Sequence, residues 1–162
     1  MTFDVWPANP DLHWRLVTDA VMGGVSCGTL AREAIEGREA VLMRGDVSTD
    51  NNGGFIQMAM DLATGRTSLD ASAFTGLEID VLGNGESYGA HLRTEALTRP
   101  QQSYRHEFVA VQQWQTLRLP FREFTPHRID VPFNSKRIIR VGLVAIGRKF
   151  TAHLAVARLA FY

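Results

Sequence analysis

The chain has 162 residues, with 17 Lys and Arg against 17 Asp and Glu, so its formal net charge is zero. That balance excludes recognition of nucleic acid or of an anionic membrane through bulk charge. A single cysteine, Cys27, excludes an intramolecular disulfide, and a chain of this length can bury about 70% of its unfolded surface, so a core requires neither bridge nor metal.

Residues 1–13 read as an irregular lead-in, because Pro7 and Pro10 interrupt regular hydrogen bonding. They lack the basic start and apolar core of a signal peptide. Asp4 and Asp11 precede the first arginine, Arg15, unlike a mitochondrial presequence. No run approaches the ~20 apolar residues of a membrane span. The expectation is a cytoplasmic protein without a membrane span.

From there the chain reads as a succession of strands. Trp14–Val17 is the first, Gly28–Ile35 and Ala40–Val47 the next two. In Phe55–Leu62 the residues Ile56, Met58, Met60 and Leu62 share one face, the pattern of a half-buried strand. Thr64–Phe74 is a polar connection with room for one helical turn. Gly76–Leu82 and Tyr88–Thr94 alternate about the turn formers Gly83-Asn84-Gly85-Glu86, which predicts a hairpin. Ser103–Val109 and Trp114–Leu119 are further strands. Pro120 then ends the ladder, and Phe121 and Phe124 suit one 3₁₀ turn. Thr125–Arg137 reads as a loop. Arg140–Ile146 is apolar on both faces and should be central. In Phe150–Phe161 the apolar phase shifts between Val156 and Leu159, which predicts a bulge near Ala157-Arg158. The sum is one all-β domain over residues 1–162, an antiparallel sandwich spanning 14–162.

Two loops stand out against these strands. Asp19-Ala20-Val21-Met22-Gly23-Gly24-Val25-Ser26 and Asp50-Asn51-Asn52-Gly53-Gly54-Phe55 each set paired glycines before an apolar run. Glycine permits positive φ and close backbone approach, so Gly23, Gly24, Gly53 and Gly54 are read as structural. The loops are expected to meet at one rim of the sandwich, with Asp19, Met22, Ser26, Asn51 and Asn52 as candidate ligand or partner contacts. Trp14, Tyr104 and Arg93 complete that set: two flat aromatics and a planar donor fork. His91, Arg93, Arg105 and Glu107 share the polar faces of two strands, a surface that is either simply solvated or able to recognise a sugar or an anionic group.

Other constellations fail on context. Gly24-Val25-Ser26-Cys27-Gly28 is a literal G-x-S-x-G, followed by Asp130 and His153 in hydrolase order. A serine hydrolase needs that motif on a strand–turn–helix elbow within alternating α/β units, which this chain lacks. Gly23 to Gly28 spans the glycines of a phosphate-binding loop, but Thr29 stands where lysine is required. The five histidines lack zinc-site spacing, though His91 and His106 could meet across neighbouring strands. Asp46, Asp50, Asn51 and Asn52 are oxygen-rich without the spacing of a calcium loop. No cofactor and no metal is expected.

The pieces in order resemble the complex I intermediate-associated protein 30 family. The match runs through Trp14, Asp19, Met22-Gly23-Gly24, Ser26, Gly45, Val47-Ser48 and Asn52-Gly53-Gly54-Phe55. It continues through Gly76-Leu77, Gly83-Asn84-Gly85, Tyr88, Leu92-Arg93, Tyr104, Phe108, Trp114, Leu119-Pro120-Phe121, Phe124, Ile139, Val141-Gly142-Leu143 and Phe150. The resemblance implies a galactose-binding-like jelly roll and a non-catalytic binding or assembly domain, whose partner is a protein such as a respiratory-complex subunit. Related domains bind glycans, so a carbohydrate-binding module on the same fold is the alternative.

Overall fold

The computed structural model describes residues 1–62 and 68–162, and the backbone alone at Asn52. The described residues form twelve strands: β1 (Phe3–Trp6), β2 (Arg15–Thr18), β3 (Cys27–Ile35), β4 (Arg38–Val47), β5 (Phe55–Asp61), β6 (Gly76–Leu82), β7 (Ser87–Thr94), β8 (Ser103–Val109), β9 (Gln115–Pro120), β10 (Thr125–His127), β11 (Ile138–Ile146) and β12 (Phe150–Phe161). They form two antiparallel six-stranded sheets. One has the order β3-β4-β12-β6-β9, with β1 also paired to β12; the other is β10-β8-β7-β11-β5-β2. This is the expected all-β antiparallel sandwich. A 3₁₀ turn follows β9 at Phe121–Glu123.

The longest strand, β12, organises the first sheet. One of its edges is shared by β4, against Phe150–Val156, and by β1, against Leu159–Phe161; the other takes β6. Its register against β6 slips between Val156 and Arg158, which is the bulge required by the phase shift. In the second sheet β11 lies between β7 and β5, and every residue from Val141 to Ala145 is buried. The inner faces of both sheets supply the core, with Met43, Leu77, Ile79 and Leu154 from one and Ile56, Met58, Leu92 and Leu143 from the other.

Three expectations need correction. The hairpin over residues 76–94 does not form: β6 pairs with β12 and β9, β7 with β11 and β8, so residues 83–86 arch from one sheet to the other. The backbone of that arch hydrogen-bonds elsewhere, Gly83 N–H to the Val111 carbonyl and Gly85 N–H to that of Ala110. A side chain at residue 83 would strike Ala110 at 2.5 Å, so the glycine marks close approach rather than hairpin geometry. The lead-in contains β1, and the loop after the 3₁₀ turn contains β10. Both are short edge strands with a proline within or just after them, which is where proline is tolerated in a sheet. The helical turn expected within 64–74 falls partly on residues outside the described set.

Candidate functional site

The rim loops are built on one side chain. Asp19 begins a 3₁₀ turn (Asp19–Met22) whose entry is capped by the Thr18 hydroxyl accepting from Ala20 N–H at 3.2 Å. The Asp19 side chain is completely buried. Its Oδ1 accepts the Ser26 N–H at 3.0 Å, and its Oδ2 accepts the N–H groups of Gly54 at 2.6 Å and Phe55 at 3.3 Å. The Ser26 hydroxyl donates to the same Oδ2 and accepts from Ser48 N–H at 2.8 Å. One carboxylate therefore closes the first loop on itself and fastens it to the second.

The glycines make room for this. A Cβ on Gly24 would lie 2.4 Å from Asp19 Cγ, and one on Gly53 2.5 Å from Asp19 Oδ2 and 2.9 Å from Gly24 Cα. Backbone packs directly onto the carboxylate from both sides. Burial disfavours the ionised form of Asp19, yet the hydrogen bonds from Ser26, Gly54 and Phe55 outweigh it and hold the carboxyl below the usual aspartate range.

The loop so pinned displays apolar side chains outward. Val21 is 75% exposed, Met22 53% and Val25 49%, an unusual concentration within five residues. Of these only Met22 stands out in the sequence; Val21 and Val25 read simply as part of the apolar pattern around the glycines.

The other sequence candidates are spread out. Asp19 and Ser26 are interior ties, not surface contacts. Asn51 is exposed, with φ of 55°, in a 3₁₀ turn beside the pinned loop; the Asn52 backbone belongs to the same turn. Tyr104 is fully buried, and its hydroxyl donates to the Val131 carbonyl at 2.7 Å, so its ring faces the core. Arg93 lies on the outer face of β7, but its guanidinium grips the carbonyls of Arg99 and Pro100 at 3.2 Å and Gln102 at 2.6 Å. It braces the loop after β7. Trp14 is half-buried, edge-on to Trp6 at 6.0 Å, beside a cleft of about 220 Å³ that Trp6, His13, Leu30 and Arg32 also line. Its indole N–H is buried without a partner among the described residues. His91 and His106 do not meet: His91 pairs with Arg105 and Ala90 with His106, so the two imidazoles leave opposite faces of the sheet.

Ser26 has no geometry for catalysis. It is 7% exposed, and its hydroxyl proton is committed to a buried carboxylate. Among the described residues, no three His, Cys, Asp or Glu side chains gather to hold a metal ion. No helix among them is long and apolar enough to cross a membrane.

A family model described as Complex I intermediate-associated protein 30 matches residues 3–155. The chain belongs to that family. A search of curated proteins found no match. Solved structures show the same fold. The family 11 carbohydrate-binding module from Clostridium thermocellum, in complex with a β-1,3-1,4-mixed-linked tetrasaccharide, superposes with a TM-score of 0.71 at 12% identity, covering 99% of this chain and 93% of that one. A family 30 carbohydrate-binding module gives 0.70 at 13%, covering 99% and 87%. An exo-β-agarase contains a similar region, at 0.57 and 9%, covering 97% of this chain and 24% of the enzyme. At these identities the likeness concerns the fold.

Proposed function

We propose that this member of the Complex I intermediate-associated protein 30 family is a non-catalytic binding module that holds a protein partner, as an assembly factor for a respiratory NADH:ubiquinone oxidoreductase. It acts in the cytoplasm as a single domain, on the face of the complex that the cytoplasm reaches. The observation that carries the reading is the pinned rim loop. Exposed apolar side chains on a floppy loop would collapse or lose entropy on binding; here the Asp19 ties hold Val21, Met22 and Val25 ready for docking. Methionine adapts its shape to an apolar partner, and valines add area without many rotamers to freeze.

The glycan alternative has the fold of its structural neighbours in its favour. Its weakness is local: a sugar platform needs an open aromatic face, whereas Tyr104 is in the core and Trp6 is buried. The discriminating experiment is affinity purification of wild type and of a Val21→Ser/Met22→Ser variant from the native source. Subunits of the oxidoreductase should copurify with wild type and be lost with the variant while both remain folded. Equal recovery with both proteins, or none with wild type, contradicts the docking role.

A further inference from the structure

The outer faces of the two sheets are treated differently. On the first sheet, buried acids are matched with cations: Glu78 with Arg118 at 2.9 Å and Arg158 at 2.6 Å, Asp80 with Arg38 at 2.9 Å. On the second, the β2 side is also paired, since the one carboxylate of Asp61 takes both Arg15 at 2.7 Å and Arg140 at 2.8 Å. The β8–β10 side is not. One cross-strand row runs Thr125, Arg105, His91, Gly142, Ala59, Arg15, and the next brings His127 opposite Ser103. Arg105, His91 and His127 therefore lie together, with Arg128 directly after β10. None of Arg105, Arg128 and His127 takes part in an ion pair of the described residues. Among the described residues Arg105 makes one side-chain hydrogen bond, Nε to Ser103 Oγ at 2.8 Å, which fixes the fork and leaves its terminal nitrogens uncommitted to them.

The floor beside this cluster is flat because it lacks Cβ atoms. A Cβ on Gly142 would lie 2.0 Å from Gln57 Oε1, and one on Gly89 3.0 Å from His91 Nε2. Gln57 and His91 therefore lie down along the sheet. Burial and crowding lower the proton affinity of all three groups. Burial, then Arg105 and His127, push His91 down to about 3; burial, then Arg105 and Arg128, lower His127; burial and Arg128 lower Arg105. Glu107, on the same face of β8, is not in an ion pair with Arg105 among the described residues; Arg93 on β7 is held by the carbonyls of residues 99–102, and Arg140 on β11 is paired with Asp61. A half-buried arginine fork among imidazoles, lacking a carboxylate, is the arrangement that an incoming oxyanion completes.

We infer that the outer face of β7, β8 and β10 is a binding site for a small oxyanion group, a carboxylate or a tetrahedral sulfate or phosphate, held by the Arg105 guanidinium with His91 and His127 as flanking donors. The site is separate from the Val21–Val25 loop and does not depend on the docking role. The ligand supplies the negative charge the cluster lacks, so the two imidazoles take up protons more readily when it is bound.

The test is titration of the 162-residue chain with sodium sulfate and, separately, sodium D-galacturonate at constant ionic strength, with D-galactose as the uncharged control. Both anions keep their charge above pH 5, so any pH dependence belongs to the protein. Saturable NMR shifts at His91 and His127 are expected with at least one anion and not with galactose. The imidazole pKa values should rise by about one unit or more, the size expected for an opposite charge within hydrogen-bonding reach. Response to sulfate alone assigns a tetrahedral oxyanion, and response to galacturonate alone a carboxylate. Arg105→Gln should weaken binding about tenfold or more, and Arg15→Gln, which removes the same charge from the far side of the sheet, should leave it unchanged. Absence of saturable shifts with both anions in wild type overturns the site, as does equal weakening by Arg105→Gln and Arg15→Gln. The wild-type histidine titration stands even if Arg105→Gln does not fold.

Discussion

Asp19 and Gly54 are 35 residues apart, and the carboxylate of the first accepts the backbone N–H of the second at 2.6 Å. This contact, with its companions at Ser26 and Phe55, turns two separate loops into one rigid corner of the sandwich. Asp19→Ala would leave three backbone donors and the Ser26 hydroxyl in the interior without their acceptor. It is expected to cost about 3–5 kcal/mol, the range for removing one partner of a buried charged network. Urea denaturation monitored by tryptophan fluorescence measures it; a loss within experimental error would show that the tie contributes little.

The glycines should couple to that aspartate. Gly24→Ala sets a methyl 2.4 Å from Asp19 Cγ and is expected to destabilise by about 2 kcal/mol through overpacking. In an Asp19→Ala background the obstructing carboxyl is gone, so the same substitution should cost about 1 kcal/mol less. Additive losses in the double-mutant cycle would mean that Gly24 is needed for its backbone conformation alone.

Acid should weaken the fold in two stages. The folded-state pKa of His91 is about 3, below its ordinary 6.5, because burial, Arg105 and His127 disfavour its charged form. The unfolded chain then binds the proton first, and stability falls as pH drops from about 6.5 toward 3. Asp19 is also lowered in the folded state, so its contribution is present above the unfolded aspartate pKa of about 3.9 and disappears as pH falls through the folded value. His91→Gln should shrink the first stage, leaving the part contributed by His127, whose folded pKa is also lowered, and should leave the second stage in place. Identical denaturation midpoints for wild type and His91→Gln across pH 7 to 4, after normalisation at pH 7, would contradict the neutral-imidazole assignment.

Ser26 should be inert toward a fluorophosphonate probe, since its hydroxyl is tied between Asp19 and Ser48. Labelling of wild type that disappears in Ser26→Ala would restore a nucleophilic role and overturn the structural one.

Much of the sandwich was legible because period-two alternation is a direct consequence of one buried face, as in β5 with Ile56, Met58 and Met60 inward. The bulge in β12 was legible for the same reason: a phase change in the pattern demands an extra residue. Partnership was not legible. Residues 76–94 have hairpin composition, yet alternation records only which face is buried and not which sheet a strand joins. The glycine loops illustrate the same limit at the site. Their spacing announced close approach, but not that Asp19 would be the body approached, nor that Tyr104 and Arg93 would be spent on Val131 and on the 99–102 loop. The Arg105 cluster was half visible: its strands placed Arg105 and His91 on one face, whereas His127 came from a strand hidden behind Pro126.

Docking through the pinned loop is tested most directly by photo-crosslinking from residue 22, with a benzophenone amino acid replacing Met22 and, as the control, replacing exposed Arg44 on β4. Substitution at an exposed position should alter stability by no more than about 0.5 kcal/mol. Illumination in the native cell should join residue 22, and not residue 44, to a subunit of the respiratory NADH:ubiquinone oxidoreductase. Crosslinks of equal yield from both positions, or none from residue 22, would contradict the docking role of this loop.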